Sequence, residues 1–163
     1  MDKIEREKHI FYLREAIKES ILAKEAGNTP FGAVMVDKNG NIILRQQNIE
    51  ITEHDCTGHA ETAIMRAASK LYDRKFLWDC TLYTTFEPCA MCCGAIYWGN
   101  VGTVVYGLEE KTLLKLTGDN EQNPTFDLPS RDIIKAGQKD IKILGPFEEL
   151  TDEIIKPHIG YWK

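Results

Sequence analysis

Apolar residues recur every three or four positions in two long segments of the chain. In residues 5–26 they stand among Lys, Arg and Glu, and the sequence AGNTP closes the segment, which predicts an amphipathic helix. In residues 58–72 the apolar positions from Ala60 to Leu71 step by four, three and four. This spacing predicts a second helix, with Thr57 as its capping residue.

Two short runs typical of strands lie between these helices. They cover residues 33–36 and 42–45 and flank Asn39 and Gly40, a pair that is common in tight hairpin turns. Strands joined by such a short turn pair in antiparallel fashion. The sequence therefore predicts a β-hairpin after the first helix.

A strand–helix–strand order follows the second helix. Residues 80–86 and 101–107 are rich in β-branched and aromatic residues, which predicts two strands, and residues 88–98 between them are expected to form a short helix. A connection of this kind favours a parallel pair with a right-handed crossover.

The pattern weakens after residue 107, where turn-forming residues are frequent. A helix at 130–136, a strand at 141–144 and a final helical stretch from Glu148 are expected there. Because no repeat or linker divides the sequence, we expect one domain over residues 1–163. The alternation of helices and strands predicts an α/β fold, in which helices cover a mixed sheet.

The composition excludes several classes of protein. The 163 residues are 43% hydrophobic and 28% charged, which is typical of a globular domain. The net charge is −5 and basic residues form no long run, so a nucleic-acid partner is disfavoured. No apolar run approaches the roughly 20 residues that cross a bilayer, and the charged beginning is unlike a secretory signal. A cytoplasmic protein without membrane contact is expected.

The cysteines carry the first candidate chemistry. Their number is odd and their spacing is uneven, which is atypical of a disulfide framework and favours free thiols in a reducing compartment. Cys89 and Cys92 follow Pro88 at the start of a predicted helix, where residues three apart share a face and the helix N-terminus stabilises thiolates. The five are Cys56, Cys80, Cys89, Cys92 and Cys93.

His59 and Glu61 stand at the start of the preceding predicted helix. Small residues on both helices allow the two N-terminal ends to approach, so His59, Cys89 and Cys92 can converge on one metal ion. Catalytic zinc sites keep three protein ligands of this kind and leave a position for water. We therefore predict one Zn²⁺ per chain, with Glu61 as the base that takes a proton from that water.

Two other interpretations of these residues remain open. A structural-zinc binding module would use a fourth protein ligand, for which Cys93 and His54 are candidates, although Cys93 is also interpreted as a small buried residue. A thioredoxin-like redox protein would use Cys89 and Cys92 without metal, and it would leave the His-x-Glu pair unexplained.

Three stretches together resemble a known family. They are PFGAVMV at 30–36, HAE at 59–61 and EPCAMC at 87–92, in an order that is similar to the zinc-dependent cytidine and deoxycytidylate deaminase superfamily. Over most of residues 5–107 the chain is similar to its branch of guanine deaminases and tRNA adenosine deaminases. The resemblance implies a cytidine deaminase-like fold, with three α/β/α layers around a mixed five-stranded sheet.

The resemblance also implies a hydrolytic deaminase of a nucleobase or nucleoside. His59, Cys89 and Cys92 would bind zinc, and Glu61 would move protons between water, the base and the departing ammonia. The family places an asparagine that binds the base at the position of Asn48, for which a turn role is the alternative.

Other substrate contacts are implied less directly. Relatives line the pocket at the positions of Phe31 and Trp98, and Ala60 is a further candidate contact. For Phe31 a role in the core is an equal alternative. The C-terminal aromatic residues Tyr161 and Trp162 are expected either to close over the substrate, as the resemblance suggests, or to anchor the chain end.

The predicted substrate is a free base or nucleoside, because acidic residues outnumber basic ones after residue 107. Guanine carries N–H donors that the loop around Asp119 and Asp127 could accept, so conversion of guanine to xanthine is the predicted reaction. Adenosine in tRNA, cytosine and other amino-substituted heterocycles are the alternatives. Since the family tends to form homo-oligomers, a homodimer is expected.

Overall fold

Five strands form one sheet at the centre of the computed structural model, which describes residues 1–118 and 120–162. They are Gly32–Val36 (β1), Ile42–Gln47 (β2), Thr81–Phe86 (β3), Thr103–Leu108 (β4) and Lys142–Leu144 (β5). The order across the sheet is β2-β1-β3-β4-β5. β1 pairs antiparallel with β2 and β3, whereas β3, β4 and β5 are parallel, so the sheet is mixed as predicted.

Helices cover both faces of this sheet. They are Lys3–Glu25 (α1), Ala60–Leu71 (α2), Arg74–Trp78 (α3), Ala90–Gly99 (α4), Glu110–Thr117 (α5), Ser130–Lys135 (α6) and Thr151–Ile155 (α7), with 3₁₀ helices at Glu148–Leu150 and Lys156–His158. Leu13 and Ile154 belong to the core on one face, and Ile64 and Ile96 to the core on the other. The predicted three-layer α/β/α architecture is confirmed. Within the described residues no helix is long and apolar enough to span a membrane.

The hairpin and the β–α–β unit follow the sequence pattern closely. β1 and β2 pair across the turn that contains Asn39 and Gly40, with Ala33 opposite Gln46. β3 and β4 are connected by α4 and pair in parallel, with Leu82 opposite Val104. All five residues of β1 are buried because this strand is covered on both faces, which explains its continuous apolar sequence.

Three helices differ from the sequence-based expectation. α3 is only five residues long, too short to show a helical period, although Asp73 caps it by accepting a hydrogen bond from the Phe76 N–H. α5 begins at Glu110, whose N–H is bound by the carboxylate of Glu87, a residue far away in sequence. α2 begins at Ala60, and the predicted cap Thr57 instead binds Asp55.

Most of the predicted site residues lie at one end of the sheet. The carboxyl ends of the parallel strands β3 and β4 lie there, and in open α/β sheets ligands bind outside such ends. β1 is antiparallel to β3, so its beginning and the end of β2 lie at the same edge, where the Asn48 N–H bonds the Phe31 carbonyl at 3.0 Å. The N-termini of α2 and α4 follow the same edge.

Candidate active site

His59, Cys89 and Cys92 converge at this edge of the sheet. The Nδ1 atom of His59 lies 3.5 Å from the Sγ of Cys89 and 3.6 Å from the Sγ of Cys92. Two ligands of a tetrahedral zinc ion, one nitrogen and one sulfur, lie about 3.6 Å apart when the metal bonds have ordinary lengths. The three side chains therefore fit Zn²⁺ in both donor type and spacing.

The positions of these ligands follow from the starts of two helices. His59 is the N-cap residue of α2 and Cys89 is the N-cap residue of α4, and neither side chain caps its helix. Both side chains are thus free to bind a metal. Cys92 lies three residues after Cys89, on the same face of α4, and its hydrogen bond with Cys89 and its burial raise the pKa of its thiol above the ordinary value.

The pKa of the Cys89 thiol is shifted towards the form that binds a metal. Hydrogen bonds from Cys92 and from His59 lower the pKa of the Cys89 thiol far below its ordinary value, although burial opposes them. Burial would lower the pKa of His59, but the hydrogen bond with Cys89 and the charges of Glu61 and Glu50 raise it. A thiolate beside an imidazolium results, and a metal that binds here displaces the imidazole proton.

Glu50 stands behind the imidazole of His59. Its Oε2 atom lies 3.9 Å from the His59 Nε2 atom, on the side of the ring away from the sulfur atoms. Thr29 donates a hydrogen bond of 2.7 Å to Glu50, and Asn48 donates one of 3.3 Å. A carboxylate behind a metal-binding histidine fixes the tautomer in which Nδ1 faces the metal.

Glu61 lies in the first turn of α2, just behind His59. Its carboxyl group is almost completely buried, and the Thr84 hydroxyl donates a hydrogen bond of 3.0 Å to it. Burial raises the pKa of Glu61 above the ordinary range of a carboxyl group, against the opposing charge of His59. A carboxyl group tuned in this direction can both accept and donate a proton near neutral pH.

A cavity of about 290 Å³ connects these groups to solvent. Its wall combines His59, Cys89 and Glu61 with the aromatic rings of Phe31 and Phe86 and with a loop that follows α5. The main lining residues are Phe31, Asn48, Glu61, Phe86, Glu110 and Phe126. The volume lies near the lower end of the range of roughly 300–1,000 Å³ that is typical of small-molecule sites.

Glu87 ties the floor of this cavity to two helices. One of its carboxylate oxygens accepts the N–H of Glu110, and the other accepts both the N–H and the hydroxyl of Ser130 at 2.8 and 2.7 Å. The first residues of α5 and α6 are thereby held at the end of β3. Glu110 is consequently fixed beside the cavity, and its pKa is raised to about 9, mainly by burial.

Two of the predicted substrate contacts lie in the cavity wall. Asn48 and Phe31 both line it, and Asn48 is almost completely buried. The Asn48 Oδ1 atom accepts the N–H of Glu50 at 3.0 Å, so the side chain also has the turn role that the sequence left open. Phe31 packs edge-on against Phe86 and His158, which gives it a place in the core as well.

Three other predicted contacts are not among the described residues that line the cavity. Ala60 is fully buried and packs in the core, so its side chain has no surface there. Trp98 is 74% exposed in the last turn of α4, at the opposite end of that helix from Cys89, and it does not line the cavity. Asp127 is exposed and also lies outside the lining, whereas Asp119 falls outside the described residues. The roles of Ala60, Trp98 and Asp127 as substrate contacts stay predictions, and none of the three is among the described residues that line this cavity.

The C-terminal aromatic residues contact the core behind the cavity wall. The indole N–H of Trp162 donates a hydrogen bond of 3.0 Å to the Nδ1 of His158, and the two rings stack. Trp162 also approaches Phe31, with 6.3 Å between ring centroids. Neither Tyr161 nor Trp162 is among the described residues that line the cavity, which favours the anchor over the cover.

The remaining candidate ligands lie outside the cluster. Cys93 is buried in the core and donates its thiol hydrogen to the carbonyl of Pro88. His54 is exposed on the loop before α2. Among the described residues, the group that can share a metal consists of His59, Cys89 and Cys92 alone.

Residues 6–108 match the family model described as the cytidine and deoxycytidylate deaminase zinc-binding region. A Schizosaccharomyces pombe protein named as a probable cytosine deaminase is 44% identical over 96% of this chain and 93% of its own length. The tRNA-specific adenosine deaminase of Bacillus subtilis is 45% identical over 59% of each chain. The crystal structure of guanine deaminase from Bacillus subtilis superposes with a TM-score of 0.60 and 31% identity, over 94% of this chain and 92% of that one.

Proposed function

The chain belongs to the zinc-dependent cytidine and deoxycytidylate deaminase family, and from this membership we propose that it hydrolyses the amino group of a free nucleobase. The observation that carries the proposal is the small cavity that joins the metal-ligand cluster to the buried carboxyl group of Glu61. Water replaces the amino group on the ring carbon, and ammonia leaves. The site has no fourth His, Cys, Asp or Glu ligand among the described residues, which favours catalytic over structural zinc.

His59, Cys89 and Cys92 would hold the zinc ion, which supplies Lewis acidity that activates water for attack. Glu61 accepts a proton from that water and gives it to the ring nitrogen beside the reacting carbon. After the tetrahedral carbon has formed, Glu61 takes the remaining proton of the new hydroxyl group and gives it to the amino group. The carbon–nitrogen bond then breaks, ammonia leaves, and the carboxylate is restored.

The cavity wall supports binding of a flat ring. Phe31 and Phe86 offer apolar surfaces, and the amide of Asn48 offers polar atoms at the same wall. The Thr84 hydroxyl holds the carboxyl group of Glu61 in place from the buried side. A site of about 290 Å³ suits a free base better than a nucleotide within a folded RNA.

Cytosine is the first candidate among the free bases, because the similarity to the probable cytosine deaminase extends over almost the whole of both chains. Guanine, the base predicted from the sequence, is the second candidate, and it is supported by the 31% identity to the guanine deaminase structure over 94% of the chain. The acceptor role proposed for Asp127 loses its support, since this side chain lies outside the cavity.

Ammonia release from zinc-loaded protein tests the proposal. The panel contains cytosine, guanine, adenine, their nucleosides and unmodified tRNA, with Glu61→Ala and the exposed-loop control Glu53→Ala alongside. We expect turnover of one free base, a loss of at least about 100-fold in Glu61→Ala with zinc retained, and no loss in Glu53→Ala. Absence of turnover from every free base would refute the proposal.

A homodimer in the cytoplasm remains part of the proposed function. Sedimentation velocity of the zinc-loaded protein measures the number of subunits.

A further inference from the structure

Glu110 is a buried carboxyl group in the cavity wall that lacks a hydrogen-bond partner at one oxygen. The residue is 5% exposed, it lines the cavity, and its Oε2 atom makes no hydrogen bond. The backbone of the same residue is fixed, because the carboxylate of Glu87 accepts its N–H at 3.0 Å. An unpaired polar atom in such a place is costly unless a ligand supplies the missing partner.

The surroundings of Glu110 favour its neutral form. None of the ion pairs found among the described residues includes it. Burial raises its pKa to about 9, and the nearby charges of Cys89, Glu87 and Glu61 act in the same direction, with His59 opposing them. A neutral carboxyl group presents a hydrogen-bond acceptor beside a donor, which matches the alternating polar atoms at the edge of a nucleobase.

The chemistry of the reaction leaves a ring N–H group of the substrate as the partner for the Glu110 carboxyl group. In the proposed function the amino group and the adjacent ring nitrogen of the substrate face the metal ligands and Glu61. The only N–H group of cytosine that remains is at ring position 1, next to the carbonyl at position 2. In guanine, ring N–H groups likewise remain after the reacting edge has been placed.

We propose that the carboxyl group of Glu110 binds a ring N–H of the free base and thereby determines substrate specificity. The inference rests on the proposed function, since it takes the reacting edge of the base as already placed by Glu61. The sugar of a pyrimidine nucleoside replaces the N–H at ring position 1. An enzyme that uses this contact therefore prefers the free base to the nucleoside, because the nucleoside leaves a buried polar group unpaired.

Steady-state kinetics of three variants test the inference. Glu110→Gln keeps a donor and an acceptor, Glu110→Met keeps the length of the side chain without either, and Glu109→Met is the matched control. Glu109 is adjacent in sequence, pairs with Lys111 near the surface, and does not line the cavity. Each protein is assayed for zinc content and thermal unfolding before turnover is measured.

We expect Glu110→Met to raise KM by about 10- to 100-fold with kcat changed by less than about threefold, while Glu110→Gln stays near wild type. Methylation of the ring nitrogen tests the same contact from the substrate side, with 1-methylcytosine for cytosine or the ring N-methylguanines for guanine. With the wild-type protein, methylation at the contacted ring nitrogen should raise KM as much as Glu110→Met raises it for the unmethylated base. With the Glu110→Met variant, that methylation should raise KM little further.

Three outcomes overturn the inference: an unchanged KM in Glu110→Met, a fall confined to kcat, or equal losses in Glu110→Met for the methylated and unmethylated bases. If Glu110→Met does not fold, Glu110→Asp replaces it, since it withdraws the carboxyl group by one methylene. An unchanged KM in that variant also counts against the contact.

Failure of the proposed function has a different signature. In that case wild-type protein releases ammonia from none of the free bases. Failure of the inference alone leaves wild-type turnover intact and the KM values of the Glu110 variants unaltered. Calorimetric binding of the product base to zinc-loaded wild type, Glu110→Met and Glu109→Met measures the contact independently of turnover, and a weaker affinity is expected in Glu110→Met alone.

Discussion

At the scale of single residues, we predict that Glu50 supports metal binding and that this role can be separated from catalysis. Its carboxylate lies 3.9 Å from the His59 Nε2 atom and is itself held by Thr29 and Asn48. Such partners raise the basicity of a metal-binding imidazole and fix its orientation. We predict that Glu50→Gln weakens zinc affinity by about tenfold or more, measured by competition with a chromogenic chelator.

The control for Glu50 is Glu53→Gln, three residues later on the exposed surface of the same loop. It removes an equal charge without touching His59, so zinc affinity should stay at the wild-type value. Equal weakening in both variants would show that only the overall charge of the loop matters. Wild-type affinity in Glu50→Gln would mean that the tautomer of His59 does not depend on Glu50.

The sequence identifies the residues whose spacing carries their meaning, and it misses those that act through tertiary contacts. His59, Glu61, Cys89 and Cys92 fall at the starts of two helices, so a local pattern suffices to bring them together. Glu50 and Glu110 have no such pattern, and Glu87 belongs to the EPCAMC stretch but acts through contacts with α5 and α6. Each is an ordinary acidic residue in a chain with 25 of them, and only the folded structure shows which are buried.

At the scale of secondary-structure elements, Glu87 joins three of them. Its carboxylate accepts one hydrogen bond at the start of α5 and two at the start of α6, and it follows the end of β3. Glu87→Ala leaves these donors without their acceptor in a buried place. Because each unsatisfied group costs about 1–3 kcal/mol, we predict that the free energy of unfolding falls by about 3 kcal/mol, measured with urea.

Glu109→Ala is the matched variant for Glu87, since Glu109 lies at the start of α5 but pairs only with Lys111 near the surface. Its effect on stability should stay within about 0.5 kcal/mol. A similar small effect in Glu87→Ala would show that water replaces the lost carboxylate, and that the two helices do not depend on it.

The elements that the sequence predicts well are long helices, in which the helical period repeats several times, and hairpins with a clear turn sequence. α1 and the hairpin are of this kind, and their limits differ from the prediction by only a few residues. α3 is too short for a period, and α5 takes its cap from Glu87 across 23 positions of sequence. Trp98 lies at the opposite end of α4 from Cys89, and its role as a substrate contact stays a prediction.

We interpret the C-terminal segment as an anchor, and we expect its contribution to the stability of the fold to depend on pH. Burial lowers the pKa of His158 to about 4, so its imidazole is neutral in the folded protein. The unfolded chain binds a proton there below about pH 6.5, and stability is therefore lost as the pH falls from that value towards 4. We predict that wild type loses up to about 2 kcal/mol more than His158→Gln between pH 7 and pH 5, measured by urea unfolding.

Removal of residues 161–163 tests whether the C-terminal segment anchors the chain end or covers the substrate. An anchor lowers the free energy of unfolding, because the hydrogen bond from Trp162 to His158 and the stacking of the two rings are lost. A cover would instead lower kcat/KM with stability unchanged. The second result would contradict the anchor, and an equal pH dependence of wild type and His158→Gln would contradict the role of the buried imidazole.

At the scale of the whole molecule, charge and cavity size act together on the choice of substrate. The net charge of −5 opposes a phosphate backbone, and a cavity of about 290 Å³ admits a single ring system. Composition alone predicts the first property. The second property needs the fold. The cavity is built from residues just before β1 and just after β2, from the end of β3, from the starts of α2, α4 and α5, and from the loop that follows α5.

We predict that turnover of the free base is insensitive to salt and to tRNA. A neutral base makes no ion pair with the protein, so kcat/KM should change by less than about twofold between 50 and 500 mM salt, and excess tRNA should not inhibit. Ammonia release is the measurement, with unmodified tRNA as competitor and as substrate. Release from tRNA that falls steeply with salt would show that basic side chains recruit a nucleic acid despite the acidic total, and it would move the substrate from a free base to an adenosine within RNA.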